Sequence, residues 1–150
     1  MPNEILPRVI IDTNLIVSGI IAKNGLPAKL LDLWSEDKFI LLVPFDQLFE
    51  IEEVLRRKKI REKYHLSEEK IIGLVTSLRL SAEIVKPVQP RDLPLHSRDS
   101  KDDFLLGASF SGNADYLVTG DQDLLVLKAN PLLKNIHILS VKELLAIFSS

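Results

Sequence analysis

Two apolar runs in this chain stop at an aspartate: Val9-Ile10-Ile11-Asp12-Thr13-Asn14 near the start and Tyr116-Leu117-Val118-Thr119-Gly120-Asp121 towards the end. Further acids, Asp99, Asp102, Asp103 and Asp123, crowd the second half. Carboxylates brought together without a compensating lysine or arginine repel and raise one another's pKa values, and a divalent cation relieves that repulsion. Hard Mg²⁺ or Mn²⁺ prefers carboxylate oxygens and water, and such ions can activate water on one side of a phosphodiester and stabilise the leaving oxygen on the other. The chemistry implied is metal-dependent phosphodiester hydrolysis. It needs no protein nucleophile, which suits a chain with no cysteine and no evident serine-histidine arrangement. His65, His96 and His137 lack ligand spacing and read as surface or satisfied polar residues.

For those acids to meet, the chain must bring strand ends together. A short β-branched run breaking into a carboxylate reads as a buried parallel strand delivering an acid to the carboxyl edge of a sheet, where open α/β folds place their ligands. After the Val9–Asp12 strand, helices are expected over Asn14–Ala22 and Pro27–Trp34, a strand over Phe39–Val43, and helices over Asp46 to about Lys59 and Ser67–Leu80. A short strand at Ala82–Val85 follows, then a proline-rich surface loop, Pro87–Pro94, which is the expected lid. Asp102 or Asp103 opens a helix to about Ser111; Asp115–Thr119 and Ile136–Leu139 are strands and Val141–Phe148 the last helix. Strands separated by helices imply right-handed βαβ crossovers and a parallel sheet covered on both faces.

The bulk properties allow this. The chain has 150 residues, 46% of them hydrophobic, and no internal repeat, so one domain spanning 1–150 with a real core is expected. No stretch approaches the roughly 18 apolar residues of a spanning helix, and with no cysteine the expectation is a cytoplasmic protein with no membrane partner. A net charge of −2 gives no general basic field for a polyanion. The one dense basic stretch, Arg56-Arg57-Lys58-Lys59, extended by Arg61 and Lys63, could contact phosphates. Its plainer reading, as a solvated helix end opposing the helix dipole, is preferred on this segment alone.

The ordered set Ile11-Asp12-Thr13-Asn14, Glu50-Ile51-x-x-Val54-Leu55, Asp99-x-x-Asp102 and Ala114-Asp115-Tyr116-Leu117-Val118-Thr119-Gly120-Asp121-x-Asp123-Leu124-Leu125 resembles PIN-domain ribonucleases, in particular the VapC-like toxin components of toxin-antitoxin systems. The likeness spans Val9 to about Leu145. It implies a three-layer α/β/α domain with a central five-stranded parallel sheet, and a Mg²⁺- or Mn²⁺-dependent endoribonuclease acting on RNA. It also implies a homodimer and, for a toxin, a small antitoxin partner. By the resemblance, Asp12, Glu50, Asp102 and Asp121 are the catalytic and metal-holding acids, Asp103 and Asp123 are further candidates, and Thr13, Asn14 and Thr119 are supporting residues.

Each acid has a structural competitor. Asp12 could merely cap the following helix. Glu50 lies at the border of its helix's apolar stripe while Glu52 shares a face with Leu48 and Leu55, so only the resemblance selects Glu50. Either Asp102 or Asp103 could be a plain cap; the resemblance prefers Asp102. Pro44-Phe45-Asp46 and Asp99-Ser100 depart from the family's usual Ser or Thr helix start and Asp-Pro pair. The alternative function is a catalytically silent RNA- or protein-binding module that has kept the acids for structure. A phosphoacceptor receiver fits worse, because no well-placed lysine follows the late strand into the cluster.

Overall fold

Apolar runs bounded by turn and cap residues become the strands of the protein. The computed structural model describes residues 5–149. Its elements are β1 (Arg8–Ile11), α1 (Thr13–Ile21), α2 (Leu26–Ser35), β2 (Ile40–Pro44), α3 (Phe45–Leu55), α4 (Lys58–Lys63), α5 (Glu68–Ser81), β3 (Glu83–Val85), α6 (Asp103–Ser111), β4 (Tyr116–Val118), α7 (Gln122–Leu125), β5 (His137–Leu139) and α8 (Val141–Phe148). All five strands are parallel, in the order β3-β2-β1-β4-β5. The expected three-layer α/β/α architecture is what the chain adopts.

Parallel strands covered on both faces must be apolar on both sides, and the residues divide accordingly. Val9 and Ile11 of β1, with Leu41 and Val43 of β2, join one core with α1, α2, α3, α5 and α8. Ile10, Leu42 and Leu117 point to the opposite face and pack with Leu105 and Leu106 of α6 and Leu124 of α7. Short polar signals set the helix boundaries: Ser67 Oγ accepts from the Lys70 amide at 3.1 Å to start α5, and Ser140 with Glu143 forms a reciprocal capping box on α8.

Two expectations need correction. The single helix expected from Asp46 to about Lys59 is two, α3 and α4, separated at Arg56-Arg57. Arg56 is drawn sideways by Glu52 at 3.0 Å and by Glu68 of α5 at 2.7 Å, and Arg57 is extended. The segment holds neither glycine nor proline, so no local breaker marks the division, and Arg56 is tied across it to a carboxylate of α5. Nor is Pro87–Pro94 a lid: the Val88 amide donates to the Gly107 carbonyl at 3.1 Å, Leu93 is buried, and Pro90–Asp92 forms a 3₁₀ turn. Gly107 makes that docking possible, since a Cβ there would lie 2.5 Å from the Val88 carbonyl oxygen.

Candidate functional site

β1 and β4 are neighbours in register, Ile11 opposite Val118, and the Asp12 amide extends the ladder to the Val118 carbonyl at 2.9 Å. The two strand-end acids therefore leave the sheet side by side. Asp12 occupies the N-cap position of α1, yet its carboxylate makes no capping bond to that helix. Instead Asp12 Oδ2 accepts from the Thr119 hydroxyl at 2.7 Å, and the same oxygen of Thr119 accepts from the Asp121 amide at 2.9 Å. Fully buried Thr119 thus ties the two acid-bearing segments together. Asp121 does cap α7, taking the Asp123 amide on Oδ1 at 2.8 Å.

Asp102 stands at the start of α6, buried and also without a capping bond from its side chain. Burial first, then a hydrogen bond with Asp121 and the charges of Asp121, Asp99 and Asp12, push its carboxyl up to about 7. Glu50, on the exposed flank of α3, completes a cavity of about 450 Å³ whose walls also include Asp12, Asn14, Asp99, Asp102 and Asp121. Lys101 is the lone cation on these walls among the described residues. It is a charge that the reading of uncompensated acids did not foresee.

The remaining candidates fall elsewhere. Asp103 is turned away from the cavity: it takes His96 Nδ1 and the Ser97 amide, each at 2.9 Å, and so fastens the preceding loop to α6. Asp123 is not among the lining residues; its amide serves Asp121 and its carbonyl faces the Ser97 hydroxyl at 3.4 Å. Thr13 is buried under Gln47, whose Nε2 donates to the Ile11 carbonyl at 2.7 Å and to Thr13 Oγ1 at 3.3 Å. Arg56 is held in its ion pairs, and Arg56 and Lys58 border a separate cavity with Arg61, Glu62 and Leu66; Arg57 and Lys59 are exposed and do not line the acidic one.

Sequence reasoning left three contributors unassigned. Asp99 was counted among the crowded acids but given no role, yet it lines the cavity. Ser97 reaches Asp102 Oδ2 at 3.4 Å. Gln47 fastens the helix that carries Glu50 to the residues on either side of Asp12. The last had a readable signal, a polar residue one helical turn before Ile51 on the apolar face of its helix.

The donor set suits a hard divalent ion: carboxylate oxygens around a cavity with room for its bound waters. No three described His, Asp or Glu side chains are gathered closely enough to ligate an ion as they stand. That spacing accords with Mg²⁺, which keeps several waters and takes only one or two carboxylates directly. In metal-free protein, Asp102 holds its proton to about 7 when folded but releases it near 3.8 when unfolded. The native state then binds more protons across that window, so its stability falls as pH rises from about 4 to about 7. Urea melts in EDTA at several pH values should show that decline, and Asp102→Asn should flatten it; an unchanged slope in the variant would contradict the assignment.

A family profile for the PIN domain matches residues 8–123. The chain is 33% identical over 134 residues to the uncharacterized protein MJ1680 of Methanocaldococcus jannaschii, covering 87% of this chain and 83% of that one. Its fold is similar to that of PAE2754 from Pyrobaculum aerophilum, with TM-score 0.58 and 12% identity over 96% of this chain and 90% of the other. It is similar also to VapBC2 from Rickettsia felis, solved with a DNA fragment from its promoter, with TM-score 0.57 and 15% identity over 89% of this chain and 98% of the other.

Proposed function

The chain belongs to the PIN-domain family, and from that premise we propose that it is a Mg²⁺- or Mn²⁺-dependent endoribonuclease that hydrolyses RNA phosphodiester bonds with water as the nucleophile. The observation that carries the proposal is the convergence of Asp12, Glu50, Asp102 and Asp121 on one cavity, with Thr119 bonding the segments that bear Asp12 and Asp121.

In this reading Asp12, Asp102 and Asp121 would hold the cation between them, one or two directly and the rest through its bound water. The chemistry a divalent ion supplies in such a setting is Lewis acidity toward phosphoryl oxygens and acidification of water. The protein's part is positional. Thr119 fixes one oxygen of Asp12, which lines the cavity, while the Asp123 amide orients Asp121. The Glu50 carboxylate makes no side-chain hydrogen bond among the described residues and is available to accept one from the attacking water. Lys101 offers a positive charge at the same cavity, where a backbone phosphate would otherwise meet only acids. Water adds to phosphorus, the bond to one ester oxygen breaks, and the departing alcohol takes up a proton.

The proposal extends to a toxin role with a small antitoxin protein as partner, supported by the fold likeness to VapBC2, and to a homodimer in the cytoplasm. Among the described residues no helix is long and apolar enough to cross a membrane. The test is direct. Purified protein with end-labelled single-stranded RNA should give internal cuts in Mg²⁺ or Mn²⁺, none in EDTA, and recovery when the cation is returned in excess. RNA binding without any cleavage would replace the enzyme with the silent binding module.

A further inference from the structure

A second cavity, of about 600 Å³, opens at the carboxyl ends of β2 and β3, on the same sheet edge as the acids. Two aromatic side chains, Phe45 and Phe104, wall it, with Asp46, Lys86 and Gln89 at its margins. Phe104 lines the acidic cavity too, so the two spaces share a side chain. Phe45 opens α3 with 50% of its surface exposed, its ring held edge-on by Phe49 at 5.3 Å between centroids. Adjoining exposed apolar side chains mark contact sites, and Phe45 and Phe49 form such a pair, with Phe45 on the wall of the cavity that shares Phe104 with the acidic one.

We infer that this cavity is a subsite for an unpaired nucleobase of the RNA strand whose backbone lies in the acidic cavity. The inference rests on the nuclease reading for its substrate. Unstacked bases of single-stranded RNA are recognised by stacking on aromatic rings together with hydrogen bonds along their edges, and the cavity has both. Phe45 and Phe104 supply aromatic rings on its wall. Asp46, Lys86 and Gln89 make no side-chain bond among the described residues; the carboxylate can accept from an exocyclic amine, the amide can donate and accept, and the ammonium can meet the adjoining sugar-phosphate. The floor is preformed, because the Val88 amide is bonded to α6 at Gly107. Since a paired base cannot present its faces to the rings, the subsite selects single strands and loops over duplex.

The experiment is binding of a short fluorescein-labelled single-stranded RNA at low salt in EDTA, where nothing is cleaved, followed by anisotropy. Phe45→Leu keeps apolar bulk but loses the ring, and should weaken binding about five- to a hundredfold, while Phe45→Tyr should bind as the wild type does. Replacing the nucleotides one at a time by abasic residues should weaken wild-type binding at one position and leave Phe45→Leu indifferent there. No binding by the wild type, equal affinity for Phe45→Leu, or a Phe45→Leu effect confined to self-association in sedimentation would each overturn the proposal, the last by making this face a contact between proteins. Because binding is read without cleavage, base-dependent binding with no cutting in Mn²⁺ would fail the nuclease reading alone.

Discussion

Asp12→Asn is expected to lower RNA cleavage on the order of a thousandfold or more while the fold stands. The amide keeps an oxygen that can accept from Thr119, so the bond joining the two strand ends survives. What is lost is a negative charge. Asp12 is one of the groups that force a proton onto Asp102, so in EDTA the variant should be as stable as the wild type or slightly more so, within about 1 kcal/mol. Calorimetric titration with Mn²⁺ should show weakened binding in step with the lost activity. Full activity in a variant free of wild-type contamination would sink the mechanism, and lost activity with unaltered Mn²⁺ binding would move Asp12 from metal holding to another role.

Ile10→Ala should produce the opposite pattern. Ile10 is fully buried in the central strand, opposite Leu42 of β2 and Leu117 of β4, and packs into the core beneath α6. Removing its methyl groups leaves a void that the flanking strands cannot close without shifting the ladder, and a loss of about 2–5 kcal/mol follows. Against a total near 5–15 kcal/mol, that is a large fraction. The urea midpoint should drop with the slope unchanged, and the folded fraction at low temperature should bind Mn²⁺ as the wild type does. A midpoint within experimental error of the wild type would show that the core repacks around this position.

The strands and their terminal acids were readable because burial on both faces demands uninterrupted apolar runs, and Asp12 and Asp121 interrupt them abruptly. Strand order was not readable from those runs, because residues such as Ile10 and Leu117 carry no mark of which neighbour they face. Asp102 and Asp103 are adjacent and chemically identical. What separates their settings is a loop whose His96 and Ser97 claim Asp103, a contact set by tertiary structure. For Glu50 and Glu52 the helix face favoured Glu52, yet Glu52 pairs with Arg56 while Glu50 borders the acids. A group meant for a ligand need not lie on the face that packs. The break at Arg56-Arg57 was hidden because the segment carries no glycine or proline to mark it, and the Glu68 that pairs with Arg56 belongs to the next long helix.

The bond between Thr119 and Asp12 spans 107 residues of sequence, and this has a kinetic meaning. Contacts between segments so far apart are made late and slowly, because the intervening chain must be ordered before they form. As the chain leaves the ribosome, β1, β2 and their helices can emerge and begin to associate, but β1 has no β4 to pair with until residue 118 is out. The acidic cavity is therefore among the last features to assemble. A nascent or truncated chain ending before Thr119 carries Asp12, Glu50 and Asp102 but lacks Asp121 and the hydroxyl that ties the two strand ends, so the acidic cavity stays unformed until that stretch has emerged.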